Sequence, residues 1–258
     1  MYIFDGVGWT FISSAVNFSW TNFTSFTIGD KGYVFFDGVS SMLFQYDITN
    51  NIWTLLGDFL PADRQQANVF VIANKAYVAG GHYDGPNTFK DVWEFNPVGT
   101  TWTQKADLPA FIGSRSGSAA FTINGKGYIV AGYKKNYNSS DGSSSPSYYN
   151  DVLEYNPATD TWTTKASYPG NQSLWASGNA AASFVIGNVA YVSMDGSGFF
   201  KFDPVSNIWT PIATMVPQQP LSECTGVINS KGYVFNANDP ATGMFKYTPK
   251  TCSGGTTP

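Results

Sequence analysis

The stretch DVWEFNPVGTTWTQKADLP, Asp91 to Pro109, returns sixty residues later as DVLEYNPATDTWTTKASYP, Asp151 to Pro169, with eleven of nineteen positions identical. An aromatic, a turn, a tryptophan and a closing proline held at fixed spacing mark a structural repeat. A period of several tens of residues points to units that stack on one another.

The repeat extends along the chain. Trp-Thr pairs occur in GWTFIS, IWTLLG, TWTQKA, TWTTKA and IWTPIA, with Trp9, Trp53, Trp102, Trp162 and Trp209 separated by 44, 49, 60 and 47 residues. A second register, KGYVFF, KAYVAG, KGYIVA, VAYVSM and KGYVFN, places Tyr33, Tyr77, Tyr128, Tyr191 and Tyr233. A third aromatic, Tyr46, Phe95, Tyr155 or Phe202, lies seven residues before four of the tryptophans.

Each unit reads as four short strands, which in the second are NVFVIA, KAYVAGG, DVWEFN and TWTQKA. They are rich in Val, Phe, Tyr and Trp and broken by Ala-Asn-Lys, Asn-Gly-Lys, Asn-Ser-Lys, Asn-Pro and Asp-Pro turns. No segment sustains a helical period. A four-stranded unit cannot bury both faces alone. Radial stacking buries each face against the next and leaves few edges, so the pattern predicts an all-β propeller. The tryptophan and its partner aromatic fill the space between blades.

Composition narrows the function. The 258 residues can bury a large core; charged residues make up 12% and aromatics 17%, against a net charge of −4. That balance gives no electrostatic case for nucleic acid or an anionic membrane. No apolar run suits membrane insertion, and MYIFDGVGWTF lacks the marks of a signal peptide. Two cysteines do not make a disulfide scaffold, and a single histidine, His82, rules out a multi-histidine metal centre.

Taken in order, double glycine, aromatic and tryptophan resemble the Kelch repeat of β-propellers. The unit Arg64 to Pro109, with Gly80, Gly81, Phe95 and Trp102, carries the resemblance best, and the third keeps Arg115, Ala131-Gly132, Tyr155 and Trp162. The other units have Phe36-Asp37, Met194-Asp195 and Asn236-Ala237 in place of the glycines. In style the chain also resembles secreted Kelch proteins of Bacteroidetes-type bacteria.

Units at about 24–61, 64–109, 115–169 and 174–217 are contiguous, and a fifth would join 221–250 with the N-terminal strand around Trp9. The expectation is a single domain over 1–251 of five blades, closed by that strand, followed by a linker or tail at 252–258. YIF and MFKY both look like third strands of the closing blade, so one is surplus. Kelch propellers usually have six or seven blades, and the alternative is a fragment of such a ring.

By the same resemblance, the binding face is built from the loops leading into each first strand and those joining the second strand to the third. The approach loops are 19–23, 62–66, 111–117, 173–179 and 218–223; the longer joining loops are 82–89 and 133–149. From tyrosine to tryptophan the units span 20, 25, 34 and 18 residues, so the extra length of the third lies in YKKNYNSSDGSSSPSYY. Such a tyrosine- and serine-rich loop suits binding, since rigid aromatics give contact area at small entropic cost; a solvated insertion is the other reading.

The candidate ligand-binding residues are Trp20, Arg64, His82, Tyr83, Arg115, Tyr148 and Trp175. Arg64 and Arg115 could fork onto a carboxylate or tie their own loops to neighbouring backbone. Trp20 and Trp175 could stack on a sugar or pack over blade ends. Cys224 and Cys252 could form a disulfide in an oxidising compartment or be unrelated thiols. The N-x-Ser/Thr sequences at Asn17, Asn22, Asn138 and Asn171 read as coincidence in an Asn/Ser/Thr-rich chain.

Some Kelch-type propellers are copper oxidases or sialic acid epimerases. The first needs several histidines, the sialidase Ser-x-Asp-x-Gly-x-x-Trp box is absent, and the approach loops offer no convincing acid/base pair. The expectation is a non-catalytic interaction module without cofactor or metal, extracellular or at a cell surface. It would bind a protein or, alternatively, a glycan as a lectin does; a sugar epimerase or hydrolase is the remaining reading.

Overall fold

The computed structural model describes residues 2–4, 9–11, 23–36, 42–58, 64–83, 88–110, 115–138, 140–141, 143–170, 181–194, 198–212, 224–235 and 244–249. Among them every regular element is a strand. Four four-stranded antiparallel sheets follow one another along the chain. The first holds β3 (Phe23–Ile28), β4 (Lys31–Phe36), β5 (Met42–Asp47) and β6 (Ile52–Asp58), in that order. The second holds β7 (Asn68–Ile72), β8 (Lys75–Ala79), β9 (Val92–Asn96) and β10 (Thr101–Lys105).

The third consists of β11 (Ala119–Ile123), β12 (Lys126–Val130), β15 (Val152–Asn156) and β16 (Thr161–Lys165). Between its second and third strands stand β13 (Tyr133–Tyr137) and β14 (Ser144–Tyr148), paired only with each other as a sheet. The fourth contains β17 (Ala181–Ile186), β18 (Val189–Met194), β19 (Phe199–Asp203) and β20 (Ile208–Ile212).

The sequence registers are the pairing registers. Tyr46, Phe95, Tyr155 and Phe202 sit directly across from Trp53, Trp102, Trp162 and Trp209. The ring centroids of these pairs lie 4.9, 4.7, 4.9 and 4.7 Å apart. Cross-strand aromatic pairs of this kind fix register as well as adding stability.

Packing between sheets explains the Lys-Gly-Tyr motif. Phe70 stacks on Tyr77 at 5.4 Å, and Tyr155 of the next sheet lies 5.4 Å from Tyr77. The Phe70 ring covers Gly127 so closely that a Cβ there would meet it at 2.1 Å. Phe184 covers Gly232 in the same way, at 2.2 Å. The motif's glycine is therefore the seat for the preceding blade's phenylalanine.

At the ends, β1 (Tyr2–Phe4) pairs with β2 (Trp9–Phe11), bringing Phe4 opposite Trp9. This is the third-and-fourth-strand pairing of the complete sheets. The last sheet, β21 (Cys224–Ile228), β22 (Lys231–Phe235) and β23 (Met244–Tyr247), sets Tyr247 across from Gly232, as Tyr46 is set across from Gly32. Both β1 and β23 thus occupy third-strand positions, each in its own sheet. Among the described residues no pairing joins the N-terminal hairpin to β21–β23.

Candidate interaction surface

The approach segment of the second blade is tied down before β7 begins. Gln65 and His82 exchange backbone hydrogen bonds of 2.6 and 3.0 Å, and Phe89 N–H donates to the Gly81 carbonyl at 3.0 Å. Beneath this ladder lies Arg64. Its Nη1 donates to Gly80 O at 3.1 Å and Asp91 Oδ1 at 2.8 Å, and its Nη2 to Asp91 Oδ2 at 2.9 Å. The guanidinium is centred 4.5 Å from the Phe89 ring.

The third blade repeats the construction. Arg115 donates to Ala131 O at 2.9 Å and Asp151 Oδ2 at 2.6 Å, beside the Tyr149 ring at 4.9 Å. Both arginine side chains are 0% exposed. Arg64 and Arg115, both named among the candidate ligand-binding residues, are each held within their own blade, by Asp91 and Gly80 O and by Asp151 and Ala131 O. Burial alone would raise the Asp91 carboxyl, but Arg64 outweighs it and holds the group below its ordinary range.

The two blades are also stitched to each other. Gly81 N–H donates to Arg115 O at 2.9 Å, and Asn68 Nδ2 reaches the same carbonyl at 3.3 Å. Ser118 N–H returns to Asn68 Oδ1 at 3.1 Å. The double glycine makes this approach possible: Gly80 has φ 65° and a Cβ there would sit 2.6 Å from Arg115 O. His82 belongs to this seam. It is buried, with Nδ1 3.0 Å from Ser116 Oγ, and so joins the approach loops of the two blades.

Above the seam rises the β13–β14 ribbon. Ser116 and Tyr133 exchange backbone bonds of 2.9 and 3.0 Å, anchoring β13 to the approach loop. The Tyr133 hydroxyl donates to Gln66 Oε1. Burial raises its phenol above the ordinary value, so the hydroxyl keeps its proton. Tyr133 and Tyr148 pack at 6.5 Å and rest against the core at the ribbon's base. Farther out, Tyr137 is 42% exposed and Ser144, Ser145, Pro146 and Ser147 are all exposed.

Of the sequence candidates, Tyr148 lies in this ribbon and Tyr83 is half-buried beside the His82 bridge. Trp20 and Trp175 lie outside the described residues, as does Cys252; Cys224 opens β21. Sequence reading placed the extra length in the long loop but missed its pairing. The signal was present: tyrosines at 133 and 137 and at 148 and 149 flank the turn-forming run Asn-Ser-Ser-Asp-Gly-Ser. Missed too were Gln65, Gln66, Asn68 and Ser116, polar residues whose roles depend on contacts across blades.

The described residues contain no helix long and apolar enough to cross a membrane. The chain is 26% identical over 189 residues to Kelch-like protein 25 of Xenopus tropicalis, covering 73% of this chain and 31% of that protein. It is 27% identical over 186 residues to Kelch-like protein 15 of Homo sapiens, covering 64% and 29% respectively. It therefore spans about a third of the length of these relatives. The solved structure titled Structure of YjhT superposes with a TM-score of 0.68 at 19% identity, covering 87% of this chain and 74% of that one, and shares the fold. Residues 22–236 match the KLHDC2/KLHL20/DRC7 Kelch-repeats domain. With most of its length matched and its arginines, glycines, tyrosines and tryptophans in the repeat's registers, the chain belongs to that Kelch-repeat family.

Proposed function

We propose that the chain is a non-catalytic, protein-binding propeller. Its working surface is the side formed by the approach loops at 64–66 and 115–118, the segment at 82–83 and the β13–β14 ribbon. The observation that carries this reading is the ribbon itself. Among the described residues it is the one insertion between strands of the four complete sheets that forms paired strands, it is anchored at its base by Tyr133 and Tyr148, and its outer half is exposed. A rigid stalk with an accessible Tyr- and Ser-rich end suits recognition of a protein surface. Arg64 and Arg115 are held in ion pairs with Asp91 and Asp151 and serve to fix this surface. An extracellular or cell-surface location fits the low charge and polar loops and belongs to the same proposal.

The test places a photo-crosslinking amino acid at Ser145 on the ribbon and, separately, at Thr103 on the outer strand β10. Both proteins are exposed to extract of the source cells. Discrete adducts from position 145, suppressed by excess unlabelled protein and missing from position 103, support the reading. Adducts from neither position, or equally from both, overturn it.

A further inference from the structure

The ribbon has two edges, and its hydrogen bonds show how they differ. Tyr149 N–H donates to Gly132 O and Asn138 N–H to Ser143 O, each at 2.8 Å. These pairs belong to the register that sets Lys134 against Ser147 and Asn136 against Ser145. Bonded and non-bonded pairs alternate along an antiparallel ladder. The backbone groups of residues 134 and 136 are therefore spent inside the ribbon, and those of Lys135 and Tyr137 point outward along the β13 edge. The reciprocal Tyr133–Ser116 bridge marks the start of that outward row. On β14 the outward residues are Ser144, Pro146 and Tyr148, and Pro146 has no N–H to offer. One edge is thus closed by proline, while on the other Tyr133 is bonded to Ser116 and, among the described residues, no backbone bond reaches Tyr137.

Charge defines what the open edge accepts. Lys31, Lys75, Lys90, Lys105, Lys126 and Lys165 each lie in an ion pair with a carboxylate. Lys134, like Lys201, Lys231 and Lys246, forms none among the described residues, and with Lys135 it makes the only adjacent pair of cations in the sequence. Segment 133–149 has two lysines and one aspartate, against a net charge of −4 for the whole chain. Two copies meeting at this edge would set lysines against lysines, the usual device against self-pairing. A strand carrying Asp or Glu would instead gain opposite-charge cross-strand pairs.

We propose that the β13 edge is a strand-addition site for an extended acidic segment of a partner protein, continuing the row begun by Ser116. This rests on the protein-binding reading above and names the partner's chemistry. Backbone bonds at Lys135 and Tyr137 would supply affinity, and the charge of Lys134 would select acidic over basic sequence.

The test uses capped Val-Glu-Val-Glu-Val-Glu-Val and Val-Lys-Val-Lys-Val-Lys-Val peptides on the whole chain, with amide hydrogen exchange followed by NMR. The expected result is rapid exchange at Lys135 and Tyr137 in the free protein. Saturating Glu peptide should slow it at least tenfold, and the Lys peptide should leave it unchanged. K134E/K135E should reverse the preference, and Tyr137→Pro should abolish binding while Gly81 and Tyr133 amides stay protected. Equal binding of both peptides, binding without protection at 135 and 137, or no binding overturns the proposal. So does slow exchange at both amides in the free chain, which would show the edge already covered. Crosslinking from Ser145 that persists in K134E/K135E would leave the protein-binding reading standing while this one fails.

Discussion

Trp162 donates its indole N–H to the carbonyl of Ala106, fifty-six residues earlier in the chain, at 2.9 Å. Asp160, two residues before that tryptophan, accepts the Ala106 N–H at 2.9 Å, so both backbone groups of Ala106 are held by the next blade. One blade on, Trp209 and Asn207 hold the carbonyl and N–H of Ala166 at the same two distances. The repeated tryptophan therefore fills space against its cross-strand aromatic and clamps the blade before it. Trp162→Phe keeps a ring and removes the donor, and it should cost about 1 kcal/mol. Trp162→Ala loses the packing too and should cost about 3–5 kcal/mol. Urea denaturation of both variants checks this; equal losses would mean the hydrogen bond contributes nothing.

Gly127→Ala puts a methyl group into the Phe70 ring of the preceding blade. The substitution should destabilise by about 1–3 kcal/mol through overpacking. Phe70→Leu should be less costly in the Gly127→Ala background than alone. A double-mutant cycle reads this coupling, and simple additivity would show that the ring and the glycine do not meet.

Removing one member of the Arg115–Asp151 pair leaves a charge behind at a site where the arginine is wholly buried. Asp151→Ala should therefore cost about 3–5 kcal/mol. Arg115→Lys keeps the charge but loses the fork that spans Ala131 O and Asp151, and it should also destabilise. If instead Arg115→Lys had native stability and lost partner crosslinking, Arg115 would act in binding rather than in holding its blade.

The fold was legible because its determinants are local and repeated. The Tyr46–Trp53, Phe95–Trp102, Tyr155–Trp162 and Phe202–Trp209 pairs are set by spacing across one turn. The site was less legible because its contacts are distant in sequence. Asn68 reaches Arg115 O across 47 residues and Tyr133 reaches Gln66 across 67, and no local pattern announces either. The pairing of Arg64 and Arg115 was hidden because their partners, Asp91 and Asp151, stand just before third strands and read as part of the repeat.

The N-terminal hairpin offers a test of closure. Phe4 opposite Trp9 reproduces the outer half of a complete sheet, and we propose that this hairpin and the β21–β23 sheet meet to close the ring within a domain spanning 1–251. Trp9→Ala should then lower the melting temperature by several degrees, since a loss near 1 kcal/mol in a chain of this size shifts it by about 2–4 °C. An unchanged melting temperature would remove the clasp.

Acid should weaken the molecule through a known set of carboxylates. Burial pushes Asp91, Glu94, Glu154 and Asp160 upward, but hydrogen bonds from Arg64, Lys75, Lys126, Tyr77, Tyr128 and Tyr155 outweigh it, and all four lie below their ordinary values. Below the unfolded values of 3.8 for Asp and 4.5 for Glu, the unfolded chain binds protons that the folded one still refuses. Their stabilisation is therefore present above that range and lost as pH falls through the folded values. The tyrosines impose the opposite limit. Burial, then Glu94 and Glu154, raise Tyr77 and Tyr128 above the ordinary 10.0, so their contribution is lost as pH climbs beyond that value. Urea midpoints should be level between about pH 6 and 9 and fall steeply below about pH 4.5. In Glu94→Gln/Glu154→Gln protein the acid fall should be shallower and the neutral midpoint lower. An acid limb as steep as in the unaltered chain would place the sensitive carboxylates elsewhere.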